Sequence, residues 1–192
     1  SSHASSLEDS LDALPKCTGF VRHSVPVYTT AQSHVDESMS ACEMNTLTVD
    51  VRTLNAKPDA TAKDSYSSAK ASSGVPPILF VHGLASNMTV FSVCAEQAAA
   101  QGHAVAMMSL RGHLGSSQKT TRPVAEHGLV EFSIKQLAYD VLQVLRYLAE
   151  QAIPGWNGCA VCVGHSYGGN VVVELASMEA SREVLAGIIC VD

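Results

Sequence analysis

The part of the chain after residue 76 alternates between short apolar runs and segments of helical character. The runs with strand character are 78–81, 103–110, 158–163 and 185–191, and the helical segments between them are 90–101, 137–148 and 169–178. Runs that are apolar throughout are typical of strands buried on both faces of a parallel sheet. The alternation predicts an α/β fold: a mostly parallel, doubly wound sheet with helices on both faces. Such a sheet places its ligand sites at the carboxyl ends of the strands.

The longest helical segment carries its apolar residues on one face, as a 3.6-residue period requires. The residues of that apolar stripe are Leu137, Val141, Val144, Leu145 and Leu148. The charged residues that fall off the stripe are Lys135, Asp140, Arg146 and Glu150. The first helical segment is followed by Gly102, which stands where a C-terminal glycine cap is expected.

The domain organisation follows from shifts in composition. Residues 1–24 are Ser-rich and predict a weakly ordered lead-in, so the α/β domain is expected to occupy 25–192. Within it, Thr46–Thr53 alternates apolar and polar residues as a strand does, and 56–75 has no period and predicts a solvated loop. The chain starts without an initiator Met and stops at Asp192, directly after an apolar run. We therefore expect a partial domain that lacks its C-terminal strands.

Composition excludes several classes of partner. Of the 192 residues, 46% are hydrophobic, which indicates a globular protein. The formal net charge of -6 argues against a nucleic-acid partner, which would require clustered Lys and Arg. We expect no membrane span, because no apolar run reaches about 18 residues.

The cysteines predict neither a metal site nor a redox pair. Cys159 and Cys162 have CxxC spacing, but positions i and i+3 of a strand point to opposite faces. The two thiols therefore cannot share a metal or form a short disulfide. This cysteine usage favours a reducing compartment, with the cytoplasm or an organelle lumen as the expected location. No metal or cofactor is expected.

The sequence Gly164-His165-Ser166-Tyr167-Gly168 matches the pattern G-x-S-x-G, with a predicted strand before it and a predicted helix after it. A sharp turn from strand to helix brings the two glycine positions against neighbouring backbone, where a Cβ would clash. The turn would hold the Ser166 hydroxyl out at the top of the sheet. The backbone N–H of Tyr167, at the start of the helix, could then donate to an oxyanion.

A second oxyanion donor is predicted at the end of the neighbouring buried strand. There Val81 is followed by His82, Gly83 and Leu84. A chain that turns at Gly83 can aim the Leu84 N–H into the space above Ser166.

Together these motifs resemble the α/β-hydrolase superfamily, particularly its esterase, thioesterase and C–C hydrolase branch. The matching segments, in the order of the family, are 78–86, 108–117, 136–148, 161–176 and 185–192. The resemblance implies that Ser166 is the nucleophile and that Leu84 and Tyr167 supply the oxyanion donors. A serine at this position argues against the dehalogenase and epoxide hydrolase branches, which carry Asp there.

The sequence departs from the family pattern in one loop. The family often has Asp-x-Arg-Gly-His-Gly, whereas here Ser109 replaces the Asp and Leu114 precedes Gly115. These changes affect the expected shape of the loop more than the chemistry. Arg111 within it is expected to anchor the loop by hydrogen bonds.

The resemblance places the acid and the histidine of a catalytic triad after the serine, in that order. Asp192 is a candidate acid because it ends a strand at the active-site edge, although an Asp there is more often a loop or helix cap. We expect the base to lie downstream of residue 192. His113 and His127 are alternative candidates, because their loop lies at the same end of the sheet, whereas His103 opens a strand at the opposite end.

Four residues near the two turns are expected to line the pocket: His82, Gly83, His113 and His165. His82 is expected to be a structural histidine that bonds backbone within its own turn. His165 precedes the serine on a sharp turn, so its side chain should point away from Ser166 and pack.

These observations predict a serine hydrolase that acts on a small ester or thioester through an acyl-enzyme on Ser166. Its partner would be a small ester-like molecule. Residues 1–192 alone are expected to be inactive, because the base is missing. Two alternatives remain open: a cofactor-free lyase or acyltransferase that uses the same serine, and a non-catalytic ligand-binding homologue. The step from fold to reaction is analogy.

Overall fold

The computed structural model of the protein describes residues 20–28, 46–54, 75–113, 116, 133–151, 153, 155–156 and 158–192. Residues 1–19 of the predicted lead-in and residues 56–74 of the predicted loop lie outside this part of the chain.

The described residues form a six-stranded sheet. Its strands, in chain order, are β1 (Val21–Tyr28), β2 (Thr46–Leu54), β3 (Ile78–Val81), β4 (Val105–Met108), β5 (Ala160–His165) and β6 (Leu185–Val191). The spatial order is β1-β2-β4-β3-β5-β6. The pairings of β4 with β3, β3 with β5 and β5 with β6 are parallel, and those of β2 with β1 and β4 are antiparallel. The predicted α/β fold with a mostly parallel sheet is confirmed.

β1 begins at Val21, earlier than the predicted domain start at residue 25. Its first residue pairs with Thr53 of β2. An apolar pattern in the sequence reveals only the buried residues Val25 and Val27. The backbone pairing of the strand extends further towards the N-terminus than these buried residues.

Three α-helices lie in the described ranges: α1 (Ser92–Ala100), α2 (Ile134–Glu150) and α3 (Tyr167–Ser177). A 3₁₀ turn, Met88–Phe91, leads into α1. It begins after Asn87, whose side chain caps it by accepting a hydrogen bond from the Thr89 N–H at 2.9 Å. The predicted glycine cap after α1 is confirmed. Gly102 has φ +93° and donates to the Ala99 carbonyl, while the next N–H reaches the Ala98 carbonyl, as in a Schellman motif.

The helices cover both faces of the sheet. Alternate residues of β3 divide between two cores: Leu79 and Val81 pack on the face covered by α2 and α3, and Phe80 packs on the face covered by the 3₁₀ turn and α1. The whole predicted apolar stripe of α2 is buried in the first core. At the edge strand β6, Ile189 and Val191 remain exposed.

Within the described ranges, none of the helices has the length and apolar character needed to cross a membrane. Cys159 is exposed and Cys162 is buried, so the two thiols lie on opposite sides, as the period of a strand predicts. Burial raises the pKa of Cys162 to about 12, which leaves it a thiol at neutral pH.

Candidate active site

Ser166 lies between the end of β5 and the start of α3, as predicted. Its backbone has φ 51° and ψ −119°, a conformation that residues with a side chain rarely adopt. Two hydrogen bonds hold it there. The Ser166 N–H donates to the Val191 carbonyl at 2.8 Å, and the Ser166 carbonyl accepts from the Gly169 N–H at 2.8 Å. The first of these bonds ties the turn to the end of the neighbouring strand β6.

The two glycines beside Ser166 are required by close contacts between backbone segments. A Cβ on Gly164 would lie 2.6 Å from the carbonyl carbon of Gly168, within the turn itself. A Cβ on Gly168 would lie 2.6 Å from the carbonyl oxygen of His82, at the end of β3. Since backbone atoms cannot move aside as a flexible side chain does, the predicted steric reason for both glycines is confirmed.

The turn after β3 contacts the turn at Ser166. β3 and β5 are neighbours in register, with Val81 opposite Gly164, so the residues that follow them meet at the same edge of the sheet. A Cβ on Gly83 would lie 3.2 Å from the Cβ of Ser166. The Leu84 side chain is 69% exposed, and among the described residues no carbonyl accepts from its N–H. Ala85, with φ 54°, completes the turn.

His82 joins this turn to a second loop. Its Nδ1 lies 2.7 Å from the carbonyl oxygen of Gly83, and its Nε2 accepts a hydrogen bond from the Leu110 N–H at 3.0 Å. The side chain is 0% exposed, and its ring meets that of His113 edge-on at a centroid distance of 4.8 Å. Burial lowers the pKa of His82 to about 4, so the ring is neutral at pH 7. The expected bond within its own turn is present, and the bond to Leu110 was not anticipated.

The loop after β4 is anchored by a buried ion pair. Arg111 donates two hydrogen bonds to the carboxylate of Asp140, both at 2.5 Å, and the two side chains are 1% and 0% exposed. The Gln136 side chain donates to the same carboxylate at 3.2 Å. Asp140 was placed off the buried stripe of α2, and this was wrong, because its charge is buried against a cation of the loop. The expected role of Arg111 as the anchor of that loop is confirmed.

The family's Asp position in this loop is also buried. Ser109 accepts a hydrogen bond from the Met88 N–H at 3.4 Å through its hydroxyl. Its carbonyl accepts from the Ser116 hydroxyl at 2.6 Å. Ser109 thus joins the loop to the 3₁₀ turn before α1, so the substitution leaves the position hydrogen-bonded.

A cavity of about 220 Å³ opens beside Ser166 on the side of β6. Its lining residues are Ser166, Gly169, Asn170, Val173, Cys190, Val191 and Asp192. Ser166 and Asp192 therefore share one cavity, because β5 and β6 are parallel and in register, with His165 opposite Val191. Asn170 and Cys190 were not predicted as lining residues. Their positions could have indicated them, since Asn170 lies one helical turn after Ser166 and Cys190 lies one residue before the end of β6.

The other predicted residues of the site do not line this cavity: Leu84, Tyr167, His82, Gly83, His113 and His165. His165 lies on the opposite side, against the Gly83 turn, where a Cβ on Gly83 would be 3.2 Å from its Nδ1. That nitrogen is buried and has no hydrogen-bond partner among the described residues. His113 lies against His82, with its Nδ1 3.1 Å from the Arg111 carbonyl oxygen.

Among the described residues, no hydrogen bond from another side chain to the Ser166 hydroxyl is present. His103 is held at the amino end of β4, with its Nδ1 2.7 Å from the Pro76 carbonyl oxygen, which agrees with its predicted place far from Ser166. His127 lies outside the described residues. No group of three or more His, Cys, Asp or Glu residues in the described ranges could hold a metal ion.

Comparison with solved structures shows a shared fold. The chain is similar to a thermophilic esterase from Thermogutta terrifontis, with 20% identity and a TM-score of 0.52 over 86% of this chain and 44% of the esterase. It is also similar to an epoxide hydrolase from Vigna radiata, with 15% identity and a TM-score of 0.51 over 75% and 36% of the two chains. A third similar structure, Est816, is described as an N-acyl homoserine lactone degrading enzyme, with 18% identity and a TM-score of 0.51 over 85% and 44%.

The chain spans 36% to 44% of the length of these three proteins. No curated protein matches its sequence. The sequence family described as the alpha/beta hydrolase fold matches residues 76–192, which include every strand from β3 to β6 and both turns that meet at Ser166. The chain belongs to the α/β-hydrolase fold family.

Proposed function

We propose that the protein is a serine hydrolase that acts on a small ester or thioester through an acyl-enzyme on Ser166. The observation that carries this proposal is the backbone of Ser166, held at φ 51° between two glycines whose surroundings leave no room for a Cβ. Such a conformation costs on the order of 1–3 kcal/mol and is concentrated at functional sites. A serine that merely ended a strand would have no need of it.

Two backbone N–H groups would stabilise the oxyanion of the tetrahedral intermediate. Tyr167 is the first residue of α3, where the helix dipole favours negative charge. Leu84 follows Gly83, which packs against Ser166, and its N–H has no carbonyl partner among the described residues. Loss of one such donor typically costs about 2.7–4 kcal/mol of transition-state stabilisation.

We place the general base outside the described residues, because the nearby histidines bond elsewhere: His82 bonds Gly83 and Leu110, and His113 bonds the Arg111 carbonyl. The candidates are His127 and, by the family order, a histidine that follows Asp192 in a longer chain. Asp192 is a candidate for the acid that orients this base, since it shares the cavity beside Ser166.

The reaction would proceed in two halves. Ser166 Oγ attacks the carbonyl carbon while the base takes its proton, and collapse of the tetrahedral intermediate expels the alcohol or thiol, which receives that proton. Water then attacks the acyl-enzyme with the base as proton acceptor. The acid product leaves and the Ser166 hydroxyl is restored.

The proposal is tested by hydrolysis of p-nitrophenyl acetate by the natural protein and by its Ser166→Ala variant. The control is Ser177→Ala, which alters an exposed serine at the other end of α3, bonded to the Glu174 carbonyl. We expect Ser166→Ala to abolish turnover and Ser177→Ala to preserve it. Turnover that survives in Ser166→Ala would reject the proposed nucleophile.

Two further comparisons locate the base and the reaction class. Residues 1–192 alone should show no Ser166-dependent turnover if the base follows Asp192, whereas turnover that is lost in His127→Ala would assign the base to His127. Product analysis with an added acceptor alcohol separates a hydrolase from an acyltransferase, because the latter would give the new ester rather than the acid. A ligand-binding homologue would show no turnover under any of these conditions.

A further inference from the structure

We propose that His82 is a positioning residue that aims the Leu84 N–H at the oxyanion by holding the opposite end of the same peptide unit. The proposal rests on the proposed function, since it concerns the oxyanion site of that reaction. His82 itself touches neither Ser166 nor a substrate in this account.

The peptide between Gly83 and Leu84 links His82 to the proposed oxyanion donor. The carbonyl of Gly83 and the N–H of Leu84 belong to one planar, trans unit, so they point in opposite directions. The His82 ring lies 2.7 Å from that carbonyl oxygen, which fixes the orientation of the carbonyl. Fixing the carbonyl necessarily fixes the direction of the N–H. A rotation of this peptide would break the hydrogen bond to His82.

The second bond of the ring determines which nitrogen carries the proton. The Leu110 N–H can only donate, so the Nε2 that it reaches at 3.0 Å must be unprotonated. In the neutral ring the proton is then on Nδ1, which donates it to Gly83. Leu110 therefore selects the tautomer that the Gly83 peptide needs.

His82 forms a bridge between the Gly83 carbonyl and the Leu110 N–H, and the Leu110 end of this bridge is fixed. Leu110 is fully buried and immediately precedes Arg111, whose guanidinium is held by Asp140 of α2. The chain of contacts from α2 through the loop to His82 and Gly83 is shielded from solvent, so water cannot readily replace the lost partner of a broken bond. A donor that cannot reorient is what electrostatic stabilisation of a transition state requires.

A purely structural histidine would give a different pattern of kinetic effects. Loss of a general fold contact lowers the fraction of folded enzyme, which changes the apparent enzyme concentration. Loss of a donor that acts only on the tetrahedral intermediate lowers kcat and leaves KM nearly unchanged. Both effects leave KM nearly unchanged, so the value of kcat per folded molecule distinguishes the two roles: it is unchanged for a fold contact and lowered for a positioning residue.

The test uses the natural protein with three substitutions. His82→Phe keeps the ring volume and removes both hydrogen bonds, and His82→Asn keeps a donor for the Gly83 carbonyl. His103→Phe is the matched control, because His103 also bonds a backbone carbonyl but at the opposite end of the sheet. With p-nitrophenyl acetate we expect His82→Phe to lower kcat by at least about 10-fold. The decrease should stay smaller than the roughly 10²–10³-fold loss that follows complete removal of an oxyanion donor. His82→Asn should recover part of that loss, and His103→Phe should change kcat little.

A second measurement does not depend on turnover. The ring ¹⁵N shifts of His82 should show a neutral ring protonated at Nδ1, and His82→Phe should accelerate hydrogen exchange of the Leu110 amide. An Nε2-protonated ring, or unchanged Leu110 exchange in His82→Phe, would overturn the bridge. Unchanged kcat in His82→Phe, while Ser166→Ala is inactive, would overturn the positioning role and leave the proposed function standing. Activity in Ser166→Ala would instead reject the proposed function.

Discussion

The two turns that meet at Ser166 are held in shape by different means. The turn after β5 is fixed by close contacts between backbone atoms: the turn's own backbone excludes a Cβ at Gly164, and the backbone at the end of β3 excludes one at Gly168. The turn after β3 is fixed by a buried side chain, His82, whose second partner Leu110 lies 28 residues further along the chain. The sequence signal of the first turn is local, because it lies within the five residues from Gly164 to Gly168. The second depends on a loop that is itself anchored to a helix.

The largest expected effect comes from loss of the ion pair that anchors this loop. Asp140→Asn leaves the buried guanidinium of Arg111 without its charged partner, and breaking such a pair typically costs about 3–5 kcal/mol. We expect a loss of this size in the free energy of unfolding, measured by urea denaturation. Glu179→Gln serves as control, because its ion pair with Arg182 is 3.8 Å long and exposed, and it should change the midpoint little. A small effect of Asp140→Asn would show that the loop does not need its anchor.

The close backbone contacts of the turn after β5 are tested by adding one methyl group. Gly164→Ala places a Cβ against the backbone of Gly168, and overpacking of this kind typically costs about 1–3 kcal/mol. Gly187→Ala in β6 is the matched control, because no atom lies within 4 Å of the Cβ position there. The urea midpoint should fall for the first variant and hold for the second. Equal midpoints would show that the turn can relax around a side chain.

The smallest expected effect on the free energy of unfolding is a pH dependence that comes from His82. Its folded pKa of about 4 lies below the ordinary value of 6.5, because burial disfavours the charged ring and the neighbouring His113 opposes a second positive charge. Above about pH 6.5 the ring is neutral in both states and contributes no pH dependence. As the pH falls from 6.5 towards 4, the unfolded state takes up the proton first, so the folded state loses stability.

This contribution is roughly 1 kcal/mol between about pH 7 and pH 5.5. Urea denaturation of the protein and of His82→Phe over this range should show a steeper loss of stability on acidification for the unsubstituted protein. Parallel curves would mean that His82 does not titrate with a depressed pKa.

Much of the fold could be predicted from sequence, because its signals are local. The apolar run of β3 and the stripe of α2 report burial directly, and the glycines around Ser166 report a turn that leaves no room for side chains. The apolar run of β6 predicts its strand, but its residues are half-buried or exposed at the edge of the described sheet. The start of β1 at Val21 was not visible, because residues 21–24 are mostly exposed polar residues that lack an apolar run.

The contacts that hold the turn after β3 were not visible for a different reason. Asp140 lies three residues after Leu137 and four before Val144, so periodicity puts it beside the apolar stripe of its helix, and only its charge argued for an exposed position. The burial of that charge depends on Arg111, which the loop after β4 brings to it. The bond from Leu110 to His82 likewise depends on two loops that the sheet order brings together, since β3 lies between β4 and β5. Pairings of this kind follow from topology rather than from residue patterns.

A covalent label shows directly whether Ser166 is the nucleophile. The natural protein would be treated with a fluorophosphonate probe, digested, and its labelled peptide identified by mass spectrometry. We expect one adduct, on Ser166, whose formation is blocked by prior incubation with an ester substrate and which is absent from Ser166→Ala. Label on another serine, or ester hydrolysis that continues after Ser166 is fully labelled, would contradict it.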